Sequence, residues 1–429
     1  MELTDKTPLN IWIDWLLSVH PKEIDLGLAR VSKVAKTMGL LNPKPFVISV
    51  AGTNGKGSSV AMLSSIYRAE GYNVGCYTSP HVLVFNERFQ VNGRLATDLE
   101  ITKAFFDIEQ ARQKNDNIKL TYFEFSTLAA LVIFESQDLD VIILEVGLGG
   151  RLDAVNIIDA DVSLITAIDV DHIEWLGSDR ELIGVEKAGI MRKDKLSICS
   201  DPNAPESISA YAESNSVNLV DAKDDFSFKL NKDSWDFKYN DEVLKHLPFP
   251  NLQGKFQIQN AAGVIALILS TKLAVSLDAI KKGLQKVQHS GRLERFYVEG
   301  KAWLADVAHN VQAMGMLAEY LQQIKFSGNI IFSVLNDKNY TKMVSKIKPF
   351  ISSWYIADLN VDRSSSISVL EKTLLDLGVK TSQIHKFPSI ELATQFLIKE
   401  NKHDVLVSGS FFTVSQCYNS LLKQGINIK

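Results

Sequence analysis

The chain has 429 residues, 46% of them apolar and 22% charged, with a formal net charge of −4. That length allows two or three domains, each with a core of its own, and the charge gives no support to a nucleic-acid-binding surface. No stretch reaches the roughly 18 apolar residues of a membrane span. The N-terminus, with Glu2 and Asp5, does not read as a signal peptide. The three cysteines, Cys76, Cys199 and Cys417, follow neither a metal pattern nor a disulfide pattern, which suits a reducing cytoplasm.

Residues 9–40 read as two helices. Ile11, Trp12, Trp15 and Leu16 form one apolar face, Leu26, Leu28, Val31 and Val34 the next, and Gly39 ends the pair. Asp25, at their joint, reads by itself as a helix cap. The run 45–50 predicts a buried strand, and the stretch from Val60 to Tyr67 a helix ending at Gly71. Between them lies Gly52-Thr53-Asn54-Gly55-Lys56-Gly57-Ser58-Ser59. Its glycines let the backbone turn tightly with N–H groups aimed at an anion. The helix start adds its positive end, Lys56 a full charge, and Ser58 or Ser59 a hydroxyl for Mg²⁺. A strict P-loop would place glycine where Val50 stands; here it is at Gly52.

A second short strand over 73–79 runs into Pro80-His81, and 85–97 suits a hairpin or an ordered loop. A helix is predicted from Asp98 to Gln113. Thr121 to Phe125 then precedes an apolar helix from Ser126 to Glu135. The continuous apolar runs 140–147 and 161–168 predict buried parallel strands, followed by the loops Gly147–Asp153 and Asp169–His172. Ser178 and Glu181 have capping-box spacing and open a helix carrying Glu186, Lys187 and Ala188. Residues 200–250 read as strands and loops. Gln259-Asn260 opens a helix through Leu273, and another runs from Leu277 to Val287. His289-Ser290-Gly291-Arg292 is polar and non-periodic, a domain joint. Beyond it about five strands alternate with helices, at 302–306, 330–335, 354–357, near Ile384 and at 404–408. Two α/β domains are expected, 1–288 and 289–429.

Open parallel sheets bind ligands beyond the C-terminal ends of their strands. Four groups fall there in the first half: the glycine loop, Ser79, Glu145 and His172. A carboxylate at the end of an apolar strand is costly to bury without a partner or a metal, so Glu145 is a metal ligand or a paired structural carboxylate. His172 alone suits core, capping or ligation, and Ser79 a turn hydroxyl or a ligand. Their shared sheet edge favours ligation, and the set suggests metal-assisted phosphoryl transfer.

These segments resemble the folylpolyglutamate synthase/dihydrofolate synthase family of the Mur ligase superfamily. The resemblance is carried by Ile24-Asp25-Leu26-Gly27-Leu28, residues 50–58, Thr78-Ser79-Pro80-His81, Thr121-Tyr122-Phe123-Glu124, residues 144–153, Asp171-His172 with Trp175-Leu176-Gly177, residues 186–190, Gly291-Arg292, and residues 306–310. It implies a P-loop domain of the Mur ligase type, with a mostly parallel sheet, and a smaller Rossmann-like α/β C-terminal domain. It also implies an ATP-dependent amide ligase: ATP phosphorylates a carboxylate, and the amine of L-glutamate attacks the acyl phosphate. The implied carboxylates are dihydropteroate and reduced folates.

By the same resemblance Asn54, Gly55, Lys56, Gly57 and Ser58 hold ATP phosphates, and Asn260, Arg292 and Asp306 touch nucleotide. Ser79, Glu145 and His172 surround Mg²⁺, with two ions in all. Lys187, carboxylated on its amine, is a further metal ligand, so Lys56, His172 and Lys187 form the catalytic set. Ile24, Asp25, Leu26, Thr121, Tyr122, Phe123, Glu124, Leu152, Asp153 and Ala154 line the pterin site. The implied partners are these small molecules, with no nucleic acid or membrane, for a cytoplasmic monomer.

Two other readings compete. A Mur ligase acting on a different, cell-wall carboxylate resembles a plan with a whole UDP-binding domain before the P-loop. Only 51 residues precede Gly52, too few for one. A non-catalytic GTPase-like switch is set aside on the reading that the chain has no guanine-reading Asn-Lys-x-Asp motif. If Arg292 and Asp306 reach nucleotide from the second domain, catalysis needs domain closure. Asp306→Ala is then expected to lower turnover with little effect on thermal stability.

Overall fold

The structure, a computed structural model, describes residues 3–400 and 403–428; Glu2 lies outside them. The first sheet has eight strands: β1 (Phe46–Ala51), β2 (Val74–Tyr77), β3 (Phe89–Val91), β4 (Arg94–Leu95), β5 (Val141–Glu145), β6 (Val162–Ile165), β7 (Leu196–Cys199) and β8 (Asn218–Asp221). Their order is β4-β3-β2-β5-β1-β6-β7-β8. All neighbours pair in parallel except β2-β3 and β3-β4, which form an antiparallel edge hairpin. The chain winds from β1 outward to β2, returns to β5, then crosses β1 to reach β6. The strand order therefore reverses at β1, and the loop after it sits at the crevice where such sheets bind ligands. Val50 pairs with Glu145 and Ala51 with Ile165, which brings three strand ends level.

Helices cover both faces, which explains the unbroken apolar runs of β1, β5 and β6. Helices Leu9–Val19, Ala29–Thr37, Asp98–Gln113 and Tyr122–Glu135 pack one face. Helices Lys56–Glu70, Phe256–Ser270 and Leu277–Lys286 pack the other. The helix after the glycine loop is held by Val60, Met62, Leu63, Ile66 and Tyr67, all buried. Each contributes about 1.5–3 kcal/mol by leaving water. Gly283 lets Leu277–Lys286 approach closely: a β-carbon there would lie 2.5 Å from the Ile66 Cα.

The second sheet has six strands: β12 (Glu294–Val298), β13 (Lys301–Ala305), β14 (Gly328–Phe332), β15 (Ile351–Ala357), β16 (Ile384–Phe387) and β17 (Val405–Ser408), after a small antiparallel meander of β9 (Phe226–Leu230), β10 (Trp235–Tyr239) and β11 (Glu242–Leu247). Its order is β12-β13-β17-β14-β15-β16, parallel except at β12. The five expected strands are present. β12 is not marked in the sequence because this short edge strand opens on two charged residues, Glu294 and Arg295, directly after the polar joint.

Other boundaries differ from expectation for local reasons. The apolar helix starts at Tyr122, not Ser126, because Thr121 and Glu124 close a reciprocal capping box. The Ser178 capping box does not form; Asp179 is the cap and accepts from the Glu181 N–H. The helix carrying Asn260 begins at Phe256, and Glu206–Ser214 is helical within the stretch read as strands and loops. Asp25 caps nothing: helix Ala29–Thr37 has Leu28 at its N-cap with no side-chain bond.

The absence of Asn-Lys-x-Asp is also corrected. Asn401-Lys402-His403-Asp404 has that spacing, although Asn401 and Lys402 lie outside the described residues. Asp404 accepts from the Ala302 N–H at 3.1 Å, beside the starts of β13 and β17. That is the opposite end of β13 from Asp306, which follows its last residue. Among the described residues no helix is long and apolar enough to cross a membrane.

Candidate functional site

The glycine loop leaves β1 at Ala51 and enters its helix at Lys56. Gly55 takes φ +94°, a conformation side chains rarely adopt. The loop is tied to the end of β6: Thr53 N–H donates to Ala167 O at 2.7 Å, and Thr53 Oγ1 to Asp169 O at 2.8 Å. Thr166 Oγ1 donates to Asn54 O at 2.8 Å. A β-carbon at Gly55 would lie 2.5 Å from Asn260 Oδ1, and one at Gly57 2.6 Å from His289 Nε2. Only glycine fits between loop and neighbours. Lys56 Nζ turns back onto Gly52 O at 3.0 Å and Thr53 O at 3.3 Å. Burial lowers its pKa while Glu145 and Asp171 oppose that. Ser58, not Ser59, faces the cavity; its Oγ accepts from Gln257 Nε2 at 3.2 Å.

Glu145 is buried at the end of β5 and accepts from the Ser79 N–H at 3.2 Å. Burial raises its pKa against the pull of Lys56 and Arg292. His172 sits after β6 with φ +52°, and burial pushes its ring down to about 4 even though Asp171 works the other way. It is therefore neutral at pH 7, with a nitrogen lone pair free to coordinate.

Asp171 reaches across to the second half. It pairs with the Lys338 ammonium, accepts from Asn310 Nδ2 at 2.9 Å, and lies 3.4 Å from His309 Nε2. Burial would raise its pKa, but His309, His172 and Lys338 outweigh that and hold the carboxyl far below its usual range. Asn54 Nδ2 makes a parallel link to Gln312 Oε1 at 2.6 Å.

Lys187 is buried at 3% exposure, and burial together with the nearby Lys56 charge brings its amine down to about 7. Its neighbours in sequence do not neutralise it. Glu186 pairs with Arg151 at 2.8 Å, and Glu181 accepts from the Ser207 N–H at 2.8 Å.

Arg292 enters from the joint with its guanidinium 5.0 Å from the Phe411 ring centre, and its Nη1 is buried with no hydrogen-bond partner among the described residues. Asp306, just past β13, accepts from the Leu293 N–H at 3.0 Å and the Ala308 N–H at 2.9 Å. These bonds revise the expectation for Asp306→Ala. The substitution strands two buried N–H groups, at about 1–3 kcal/mol each. It is expected to lower the melting temperature without ligand as well as turnover, and thermal denaturation of the ligand-free variant checks this.

Every residue expected at nucleotide or metal lines one cavity of about 180 Å³, walled by both halves of the chain. Of the residues expected at the pterin, Phe123 and Asp153 touch the cavity lining, at Gly147 and Leu148. Arg30 joins two others, pairing with Asp25 and meeting the Glu124 carboxylate at 2.8 Å. Thr121 caps that helix. Phe123 packs on Gly147, where a β-carbon would lie 2.6 Å from its ring. The Tyr122 ring lies under Arg88. Asp153 is buried and accepts from the Leu148 and Val155 N–H groups, with burial raising it to about 6. Leu152 and Ala154 flank it, and Ile24 and Leu26 are half-buried beside Asp25.

Arg30, Arg88, Gln257 and Lys338 were not foreseen. Asp171, His309 and Asn310 stood in quoted motifs without a role. Their partners lie on other elements, so no spacing marks them.

Comparison with known proteins gives a consistent picture. Residues 50–268 match the profile described as Mur ligase middle domain, and 291–411 that described as Mur ligase, glutamate ligase domain. The chain is 39% identical over 413 residues to the dihydrofolate synthase/folylpolyglutamate synthase of Escherichia coli, covering 95% of this chain and 94% of that one. The protein of the same description from Bacillus subtilis is 31% identical, with 91% and 93% covered. Among solved structures, E. coli FolC in complex with DHPP and ADP superposes with a TM-score of 0.91 at 37% identity, covering 99% of this chain and all of that one. A bifunctional folylpolyglutamate synthase/dihydrofolate synthase with Mn, AMPPNP and L-glutamate bound gives 0.90 at 36% identity, covering 98% and 100%.

Proposed function

The chain belongs to the dihydrofolate synthase/folylpolyglutamate synthase family of Mur ligases, and on that footing we infer that it is an ATP-dependent ligase. It joins L-glutamate to 7,8-dihydropteroate and to reduced folates through an acyl phosphate. One observation carries the assignment of its site: a single cavity gathers Lys56, Arg292 and a buried Glu145 around the glycine loop.

The residues fit a nucleotide and a divalent ion. Among the described residues Arg292 Nη1 is a buried donor without a partner, and Lys56 Nζ donates to the loop carbonyls of Gly52 and Thr53. Both suit phosphate oxygens. Among the described residues no group of three or more His, Cys, Asp or Glu could enclose an ion. That agrees with Mg²⁺ held by one or two carboxylates and completed by substrate phosphates. Glu145, Ser79 and the neutral His172 would hold the first ion. The metal supplies charge neutralisation at the transferring phosphoryl group.

The chain's own residues do the rest. Lys56 and Arg292 stabilise the charge that builds on the phosphoryl oxygens. The Asp171 and Asn54 links hold the two halves together, which keeps water from the acyl phosphate. We place the domain boundary at 288/289, so that Arg292 and Asp306 act from the second domain, 289–429. We assign Asp25, Glu124 and Asp153, with the flanking Ile24, Leu26, Tyr122, Phe123, Leu152 and Ala154, to the pterin. We take Lys187 to be a carbamate that ligates a second Mg²⁺. The buried, free thiols of Cys76, Cys199 and Cys417 suit a cytoplasmic protein, and we take it to act as a monomer.

Phosphate release from Mg-ATP is the test, first with dihydropteroate and then with tetrahydrofolate, each with and without L-glutamate. Glutamate-dependent release is expected with both. Release with neither overturns the assignment. Release with tetrahydrofolate alone removes the dihydrofolate synthase activity and leaves the ligase.

A further inference from the structure

A second cavity, of about 190 Å³, runs along the outer face of the helix Lys56–Glu70. Its floor is the face of that helix bearing Gly57, Ser65 and Arg68. The edge hairpin supplies Gln90, the end of helix Leu277–Lys286 supplies Lys286, and the domain joint supplies His289. Two positive side chains and no carboxylate line it. Among the described residues neither Arg68 nor Lys286 forms an ion pair. The Arg68 guanidinium is laid against the hairpin turn, where a β-carbon on Gly93 would come within 2.3 Å of Nη1. The Ser65 and Thr78 hydroxyls and the Gln90 amide already donate to the Gly283 and Glu87 carbonyls, so the site offers two uncompensated cations at its mouth, charges matched to a small oxyanion.

We propose that this cavity binds a small oxyanion of the orthophosphate class, at a site separate from the nucleotide cavity. Gly57 walls both cavities, and the His289 ring packs on its outer side. The two cavities therefore adjoin at the start of the helix, with Arg68 eleven residues further along it, about 16 Å from Gly57. The ligase reaction releases one orthophosphate per turnover, so the matching ligand is made in the adjoining cavity. This link to the reaction rests on the functional reading above; the binding site itself does not.

The test is calorimetric titration of inorganic phosphate into the full chain with its nucleotide cavity filled by Mg-AMPPNP, so that the γ-phosphate position is taken. One phosphate per chain is expected. Arg68→Ala with Lys286→Ala is expected to weaken it by about tenfold or more, the size of losing charge-assisted hydrogen bonds. AMPPNP affinity and melting temperature should not change. No phosphate uptake by the AMPPNP-loaded protein overturns the site, and so does unchanged affinity in the charge-reversed Arg68→Glu, Lys286→Glu protein. Binding is read without turnover, so a failed ligase assay would leave this result standing.

Discussion

Lys187→Ala is expected to lower turnover by about three orders of magnitude, the scale of losing a group that stabilises charge in the transition state. Short carboxylates such as acetate should restore part of it. The reasoning starts from burial. A lysine at 3% exposure whose amine is brought down to about 7 is half neutral at pH 7, and only the neutral amine can take up CO₂. The carbamate so formed is an anionic oxygen ligand of the kind Mg²⁺ prefers. The alternative is a plain cation paired with Glu186, Glu181 or a phosphate; the two carboxylates are bonded to Arg151 and to the Ser207 N–H, which leaves the phosphate to be decided by the rescue. Rescue by small amines, with carboxylates inert, would show that the ammonium was the working group.

Stability supplies a second readout for Lys187. Its folded pKa lies below the unfolded value of 10.5, so between about 7 and 10.5 the unfolded chain binds the extra proton and stability rises with pH. Below about 7 both states are protonated, and the burial cost is present in full. Lys187→Met should therefore stabilise the ligand-free protein by a few kcal/mol at neutral pH or below, and the gain should vanish near pH 10.5. Urea denaturation across that range, without bicarbonate, measures it.

Glu145→Gln is expected to reduce turnover by about two to three orders of magnitude and to abolish the thermal stabilisation that Mg-AMPPNP gives the wild type. The same change should make the ligand-free protein more stable. Glu145 is buried with one N–H for its charge, and its folded pKa is raised above the ordinary 4.5. As pH climbs past 4.5 the unfolded chain loses its proton first, so the folded state binds more protons and stability falls. A neutral amide in its place carries no such cost, so the advantage of the variant should appear only above about pH 4.5. A paired structural carboxylate would behave in the opposite way, with Glu145→Gln lowering ligand-free stability at neutral pH.

The sequence by itself determined the features that local chemistry controls. The glycine loop between an apolar strand and a helix could be read directly, because Gly55 at φ +94° and the helix start at Lys56 depend on neighbouring residues. The unbroken apolar runs of β1, β5 and β6 announced strands covered on both faces. The residues expected around nucleotide and metal all reached one cavity: the glycine loop, Ser79, Glu145, His172 and Asp306 because they stand at or just beyond strand ends, and Asn260, Arg292 and Lys187 because the packing of other elements brings them there. What the tertiary structure alone decided is which charges meet. Asp25 looked like a cap, but Arg30 ties it to Glu124 from a helix far along the chain. Asp306 looked like a nucleotide contact alone, yet it holds the Leu293 and Ala308 N–H groups. Asp171 finds Lys338, and Lys187 has no ion pair among the described residues, its neighbour Glu186 being taken by Arg151. Periodicity and spacing act over a few residues. These pairings depend on strand order and on the placement of one sheet against another, which bring together side chains that lie far apart along the chain.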